Sequence, residues 1–190
     1  MKQIIDDYSP ILEDVPFELI KIVDNFFDKE VLEKVQSQIQ TLPFTPRFSK
    51  YPDMEKRERN KNDYYGSRFN LLNDQDLFNI FISNAEKNFG IKIKECHPDS
   101  GVDIRNLDHF KPHEDTDVGV YNIMVMLKGP KAVTNGTVFY SDGELDMHVG
   151  FKENRSIMFP SDWFHSAHAS NVPNLRRYTA TLFIQNYESI

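Results

Sequence analysis

The sequence has a single cysteine, no long apolar run and no excess of basic residues. The lone Cys96 excludes an internal disulfide framework and is typical of a reducing compartment. No apolar segment approaches the roughly 20 residues that span a bilayer, and the first residues lack the apolar core of a signal peptide. The net charge of −7 argues against a general nucleic-acid binder, because phosphate contacts need a basic surface. We therefore expect a cytoplasmic protein without a membrane partner.

The pattern of short strands predicts a mainly β fold. The chain is rich in aromatic residues, with 15 Phe and 8 Tyr, as expected for the interior of a β-rich domain. Short apolar or alternating segments with Gly and Pro turns between them indicate a sandwich or barrel. The predicted strands are 91–95, 101–106, 121–127, 137–140, 145–151, 157–159 and 177–185. We predict one domain over 1–190, with helical support and a candidate lid in 1–90 and a catalytic β core in 91–190.

Two helices are predicted in the first half of the chain. A strand within 17–27 leads to Asp28, a plausible N-cap for a helix over 30–39. A second helix begins at Asp74 and ends near Gly90. We expect the helices to pack on the outside of the β core.

Between these helices, the segment 46–70 mixes basic residues with tyrosines. One interpretation is a solvated surface loop. The other is a mobile lid that closes on an acidic or extended substrate, because long loops in compact domains are often functional.

A His-x-Asp motif at 113–115 is the first candidate for chemistry. Residues two apart on a strand project to the same face, so His113 and Asp115 can offer an imidazole and a carboxylate to one ion. A third ligand must then come from a distant strand. A 2-His-1-carboxylate triad leaves coordination positions open and is typical of non-haem Fe(II) oxygenases. Those positions suit a 2-oxo acid and dioxygen.

Three histidines are candidates for the third ligand: His148, His165 and His168. His165 follows the turn that ends the apolar strand 156–160, and we favour it for that reason. His148 lies in an alternating run where an ordinary polar residue is expected. His168 is better placed as a neighbour of the ligands than as a ligand.

An arginine further along is a candidate for binding an acid. The segment 177–183 alternates with period two, so Arg177, Thr179 and Thr181 share one face and Arg176 points to solvent. A guanidinium meets a carboxylate through two parallel hydrogen bonds, and a nearby hydroxyl adds another donor.

Taken together, the segment 104–185 resembles the catalytic core of the Fe(II)/2-oxoglutarate-dependent dioxygenases, particularly the prolyl 4-hydroxylase branch. The resemblance is carried by the His-x-Asp motif, by Phe-Pro-Ser-x-x-x-His at 159–165 and by Arg-Arg-Tyr-Thr at 176–179. Asn-Gly-Thr-Val-Phe-Tyr at 135–140 is similar to a glycine-containing strand of the family, with Asn in place of the first Gly.

The resemblance implies a double-stranded β-helix (a cupin-like jelly roll) with flanking α-helices. It implies Fe(II) bound by His113, Asp115 and His165, and 2-oxoglutarate bound through its distal carboxylate by Arg177 and Thr179. It also implies hydroxylation of an amino-acid side chain, prolyl included, free or in a peptide or protein.

One family feature is missing, because Ile-Arg-Asn at 104–106 stands where many prolyl hydroxylases carry a tyrosine that helps to bind 2-oxoglutarate. Asp115 favours hydroxylation or another oxidation over halogenation, because halogenating members carry a small residue there. Two alternatives remain: a cupin-type enzyme using another metal without 2-oxoglutarate, and a jelly-roll binding module without activity. Neither needs an acid-binding arginine after the distal histidine.

Overall fold

The computed structural model describes residues 20–48, 64–106, 112–130, 135–142, 144–168 and 176–190. These residues form two helices, α1 (Lys29–Gln38) and α2 (Gln75–Phe89), a short 3-10 helix (Leu71–Asn73) and eleven strands. The strands are β1 (Lys21–Asp24), β2 (Thr45–Phe48), β3 (Tyr64–Asn70), β4 (Ile91–Cys96), β5 (Gly101–Asn106), β6 (Tyr121–Lys128), β7 (Gly136–Ser141), β8 (Glu144–Gly150), β9 (Arg155–Pro160), β10 (His165–His168) and β11 (Arg176–Ser189).

Local sequence signals define both ends of α2. The side chain of Asp74 accepts a hydrogen bond from the backbone N–H of Leu77 at 3.0 Å, as an N-cap does. Gly90 ends the helix with a φ of 65°, a left-handed conformation that glycine adopts without steric cost. Asp28 precedes α1 as predicted, although its side chain makes no capping hydrogen bond. Within the described residues, no helix has the length and apolar character needed to cross a membrane.

All strand pairs are antiparallel and form two sheets. The larger sheet has eight strands, in the order β1-β9-β6-β11-β5-β3-β2, with β4 also paired to β11. The long strand β11 pairs with β6 along one edge, and with β5 and then β4 along the other. The smaller sheet has the order β10-β7-β8.

The two faces of the larger sheet have different partners. On β6, Ile123, Val125 and Leu127 pack in one apolar cluster with residues of α1 and α2. Met124 and Met126, which alternate with them, pack in a second cluster with residues of the smaller sheet. The sheets therefore face each other across an interior while the helices cover the outside. This is the predicted double-stranded β-helix (jelly roll) with flanking helices, and the prediction is confirmed.

The prediction of a loop across 46–70 was wrong at both ends. Strands β2 and β3 pair with each other, and β3 extends the larger sheet by pairing with β5. The charged residues of this segment suggested a solvated loop. However, Arg68 points inward and is neutralised by Asp103 of β5, a partner 35 positions away. Residues 49–63, where a lid was the alternative, lie outside the described residues.

The Arg68–Asp103 pair is a buried ion pair of the sheet interior. The Arg68 Nε and Nη2 atoms donate to the two Asp103 carboxylate oxygens at 2.9 and 2.7 Å. The two side chains are only 10% and 3% exposed. Replacing Asp103 by asparagine is expected to cost about 3 kcal/mol of unfolding free energy, because the buried Arg68 guanidinium would lose its counterion and one of its two side-chain acceptors. Chemical denaturation measures this loss.

The pH dependence of stability provides a second measurement. Burial alone would raise the pKa of Asp103, but the charges of Arg68, Arg105 and Arg47 outweigh burial and lower that pKa. The stabilisation is therefore complete above the unfolded pKa of about 3.9 and is lost as pH falls through the lower, folded pKa. Asp103→Asn should remove this part of the acid sensitivity. The control is Asp24→Asn, which disrupts the ion pairs of Asp24 with Lys152 and Arg155. Because the Asp24 side chain is 35% exposed, we expect a loss of at most about 1 kcal/mol of unfolding free energy.

Candidate functional site

His113, Asp115 and His165 meet at one end of the interior between the sheets. His113 and His165 form an antiparallel bridge in which each backbone N–H donates to the other residue's carbonyl oxygen at 2.9 Å. The Asp115 N–H donates to the carbonyl oxygen of Ser161 at 2.8 Å. The His-x-Asp segment is thus held against the turn before β10 and against the first residue of that strand. The distant His165 is brought to the His113–Asp115 pair in this way.

The distances among the three side chains suit a divalent metal. His165 Nε2 lies 3.4 Å from Asp115 Oδ2, and His113 Nε2 lies 3.7 Å from Asp115 Oδ1. The three donor atoms all lie within 4.8 Å of one another, and no other such group occurs among the described residues. Donors at right-angled positions around an ion, with bonds of about 2.1 Å, lie about 3 Å apart. Small side-chain rotations would therefore complete the site.

The surroundings prepare two of these groups for a metal. His165 Nδ1 lies 2.8 Å from the Trp163 carbonyl oxygen, to which it can only donate, so the lone pair of the neutral ring is on Nε2. Burial alone would raise the pKa of Asp115. While the two imidazoles are protonated, the hydrogen bond and charge of His165 and the charge of His113, together with the hydrogen bond of Asn122, outweigh burial and lower that pKa. An ionised carboxylate and a neutral imidazole are the forms that bind metals.

A buried pair of polar residues orients the Asp115 carboxylate. Asn122 Nδ2 donates to Asp115 Oδ2 at 2.7 Å, and Ser161 Oγ donates to Asn122 Oδ1 at 3.1 Å. Asn122 and Ser161 are 0% and 1% exposed, so neither exchanges these bonds with solvent. This pair was not predicted from the sequence. The available signal was Asn122 itself, an amide directly before the apolar run 123–127 of β6.

The other two candidate histidines have different places. His148 lies on β8 opposite Val138 and does not belong to the group of three. The backbone of His168 pairs with Gly136 on β7, and its side chain lies outside the described part of the structure.

Arg177 is a buried cation on the interior face of β11. It is 1% exposed, whereas Arg176 is exposed, as the alternation predicted. Its Nη1 atom donates to the Gly136 carbonyl oxygen at 2.6 Å and to Asn135 Oδ1 at 3.2 Å. Its Nε atom is buried and has no hydrogen-bond partner within the part of the chain that the structure describes. Among the described residues, no carboxylate forms an ion pair with Arg177.

This environment favours an anionic ligand. Burial, and then the positive charge of Arg105, lower the pKa of the Arg177 guanidinium, while Asp103 opposes them. A guanidinium nevertheless stays protonated at neutral pH, so the interior contains a buried positive charge whose removal from water is unfavourable. Thr179 and Thr181, both buried, lie on the same face of β11 and have hydroxyl groups. A carboxylate bound beside Arg177 would compensate for much of the electrostatic free energy that burial of the guanidinium costs.

Comparisons with known proteins support the fold. No family model matches the sequence, and no curated protein matches it either. Among solved structures, a 2OG-Fe(II) oxygenase family oxidoreductase from Burkholderia pseudomallei aligns with a TM-score of 0.63 at 13% identity, over 97% of this chain and 92% of the other. A prolyl hydroxylase from Trichoplax adhaerens, in complex with a hypoxia inducible factor peptide, aligns with a TM-score of 0.58 at 15% identity, over 97% and 93%.

A prolyl-4-hydroxylase from Pseudomonas putida aligns with a TM-score of 0.55 at 11% identity, over 93% of this chain and 98% of the other. Identities this low carry information about architecture, and the alignments extend over nearly the whole of each chain. The chain therefore has the double-stranded β-helix fold of the 2OG-Fe(II) oxygenases.

Proposed function

We propose that this protein is an Fe(II)- and 2-oxoglutarate-dependent oxygenase that hydroxylates an amino-acid side chain, free or in a peptide or protein. The observation that carries the proposal is the pairing of a facial-type triad with a buried arginine in one interior. His113, Asp115 and His165 supply the donor set of a non-haem iron site. Arg177 supplies a buried cation without an acidic partner among the described residues.

The proposal gives each residue a separate task. The triad holds the metal, while Asn122 and Ser161 keep the Asp115 carboxylate in one orientation. Arg177 binds the distal carboxylate of 2-oxoglutarate, and Thr179 adds a hydroxyl donor on the same face. When bound, Fe(II) supplies the redox chemistry by which 2-oxoglutarate, dioxygen and substrate give succinate, carbon dioxide and hydroxylated substrate.

The apolar part of the interior excludes water. Met124, Met126 and Phe159 line it on the larger sheet, and Phe139 faces them from the smaller one. The His165 ring lies against the Phe159 ring, with 4.9 Å between centroids. A dry, fixed site favours oxidation of substrate over side reactions with solvent.

A prolyl side chain is the first candidate for the oxidised group. Support comes from the sequence resemblance to the prolyl 4-hydroxylase branch and from the shared fold with two prolyl hydroxylases. Proline-containing peptides, free amino acids and nucleosides should be screened in parallel. Substrates are recognised by increased formation of succinate.

The direct test is conversion of 2-oxoglutarate to succinate by the purified protein. We expect conversion to require Fe(II) and oxygen and to increase with a suitable substrate. Without oxygen, adding Fe(II) and 2-oxoglutarate should produce the weak visible charge-transfer band of the chelate. Absence of both the band and succinate formation would contradict the proposal and favour a cupin-type enzyme or a binding module.

A further inference from the structure

A second arginine lies directly beside Arg177 in the larger sheet. In the pairing of β11 with β5, Arg177 is opposite Arg105. Residues opposite each other on neighbouring strands project to the same face, with Cβ atoms about 5 Å apart. The Arg105 side chain is only 13% exposed. Two guanidinium groups are thus held on one face of the interior.

Among the described residues, the neighbours of Arg177 on this face leave a net positive charge around it. Both carboxylate oxygens of Asp103 accept hydrogen bonds from Arg68, at 2.9 and 2.7 Å. Asp103 Oδ2 also lies 3.8 Å from Arg105 Nη2. On the other side of Arg105, its partner on β3 is Gly66, which adds no side chain to this row. A Cβ atom at Gly66 would collide with the Ile104 carbonyl oxygen, so the close approach of β3 to β5 requires glycine here.

The charge of Arg105 acts on Arg177 across the strand pair. After burial, it is the strongest influence that lowers the pKa of the Arg177 guanidinium. Repulsion of this kind is offset when an anion binds near both groups, because the anion attracts both cations. Only a ligand that brings a carboxylate to this face therefore gains this electrostatic attraction.

We propose that Arg105 is a specificity-determining residue that, together with Arg177, selects a dicarboxylic 2-oxo acid over a monocarboxylic one. This inference rests on the proposed function. A 2-oxo acid without the distal carboxylate gains nothing from Arg105, whereas 2-oxoglutarate gains a second charge interaction.

The experiment is calorimetric titration of the Fe(II)-loaded protein without oxygen. 2-Oxoglutarate is compared with 2-oxobutyrate, which has the same chelating end and no distal carboxylate. In Arg105→Gln we expect binding of 2-oxoglutarate to weaken about 10- to 100-fold, with the affinity for 2-oxobutyrate unchanged. Arg105→Lys should restore part of the preference, because it keeps the charge and loses the planar fork. The exposed neighbour on β11, as Arg176→Gln, is the matched control and should keep the wild-type preference.

The outcomes separate the two proposals. If the wild type prefers 2-oxoglutarate and Arg105→Gln keeps that preference, the role of Arg105 is wrong while the proposed function stands. Equal weakening of both acids in Arg105→Gln also overturns the inference, because it indicates a structural role. If the wild type binds neither acid, the proposed function fails and this inference fails with it.

Discussion

Exchanging His165 for alanine is expected to abolish Fe(II) binding and succinate formation together. The imidazole is one of three donors within 4.8 Å of one another, and its Nδ1 hydrogen bond directs Nε2 toward the other two. Substitution of residues that merely orient ligands commonly costs 10- to 100-fold in metal affinity, so loss of a ligand should cost at least about 100-fold. Anaerobic titration with Fe(II) and a succinate assay measure the two effects.

Two further variants separate loss of the ligand from loss of structure. His165 is 4% exposed and packs against aromatic rings, so alanine also leaves a cavity. His165→Gln keeps most of the volume and should lose iron as well. His97→Ala is a suitable control, because this histidine lies between β4 and β5 and outside the triad. Full turnover in both His113→Ala and His165→Ala would falsify the ligand assignment.

Exchanging Arg177 for methionine is expected to remove 2-oxoglutarate binding while the protein stays folded. Loss of one partner from a buried charge pair typically costs 2–5 kcal/mol of binding free energy. A loss of about 3 kcal/mol corresponds to about a 150-fold weaker affinity. Anaerobic calorimetry measures this change, and the Fe(II) affinity of the variant should remain that of the wild type because Arg177 does not belong to the triad.

The stability of this variant tests the same assignment independently. Arg177 makes two hydrogen bonds, to Asn135 and Gly136, but it also carries a buried charge. Replacing a buried charge by an apolar side chain of similar volume is often close to neutral for stability. We therefore expect the free energy of unfolding of Arg177→Met to lie within about 2 kcal/mol of the wild-type value. A large loss of stability with unchanged 2-oxoglutarate affinity would mean that Arg177 is a structural residue.

Short apolar or alternating segments between turns predicted most of the strands. The predicted strand 101–106 agrees with β5 in both bounds, and the predicted strand 121–127 is β6 without its last residue. These segments were predictable because their composition and the turns at their ends are features of the local sequence. Strands β2 and β3 were missed because Arg68, their most polar inward residue, is compensated by Asp103 from another strand. Such compensation leaves no mark in local sequence.

The functional site likewise has features that the sequence predicts and features that depend on the tertiary structure. By itself, the sequence determined the chemical types in order: a His-x-Asp pair, a later histidine after a turn, and an arginine alternating with threonines. These patterns can be recognised in the sequence because every second residue of a strand projects to the same face. The sequence favoured His165 as the third ligand because it follows a turn, and the tertiary structure brings it, and not His148, to His113 and Asp115. Only the tertiary structure decided that Asn122 lies beside Asp115 and Arg105 beside Arg177, since such contacts are set by how the strands pair and not by distance along the chain.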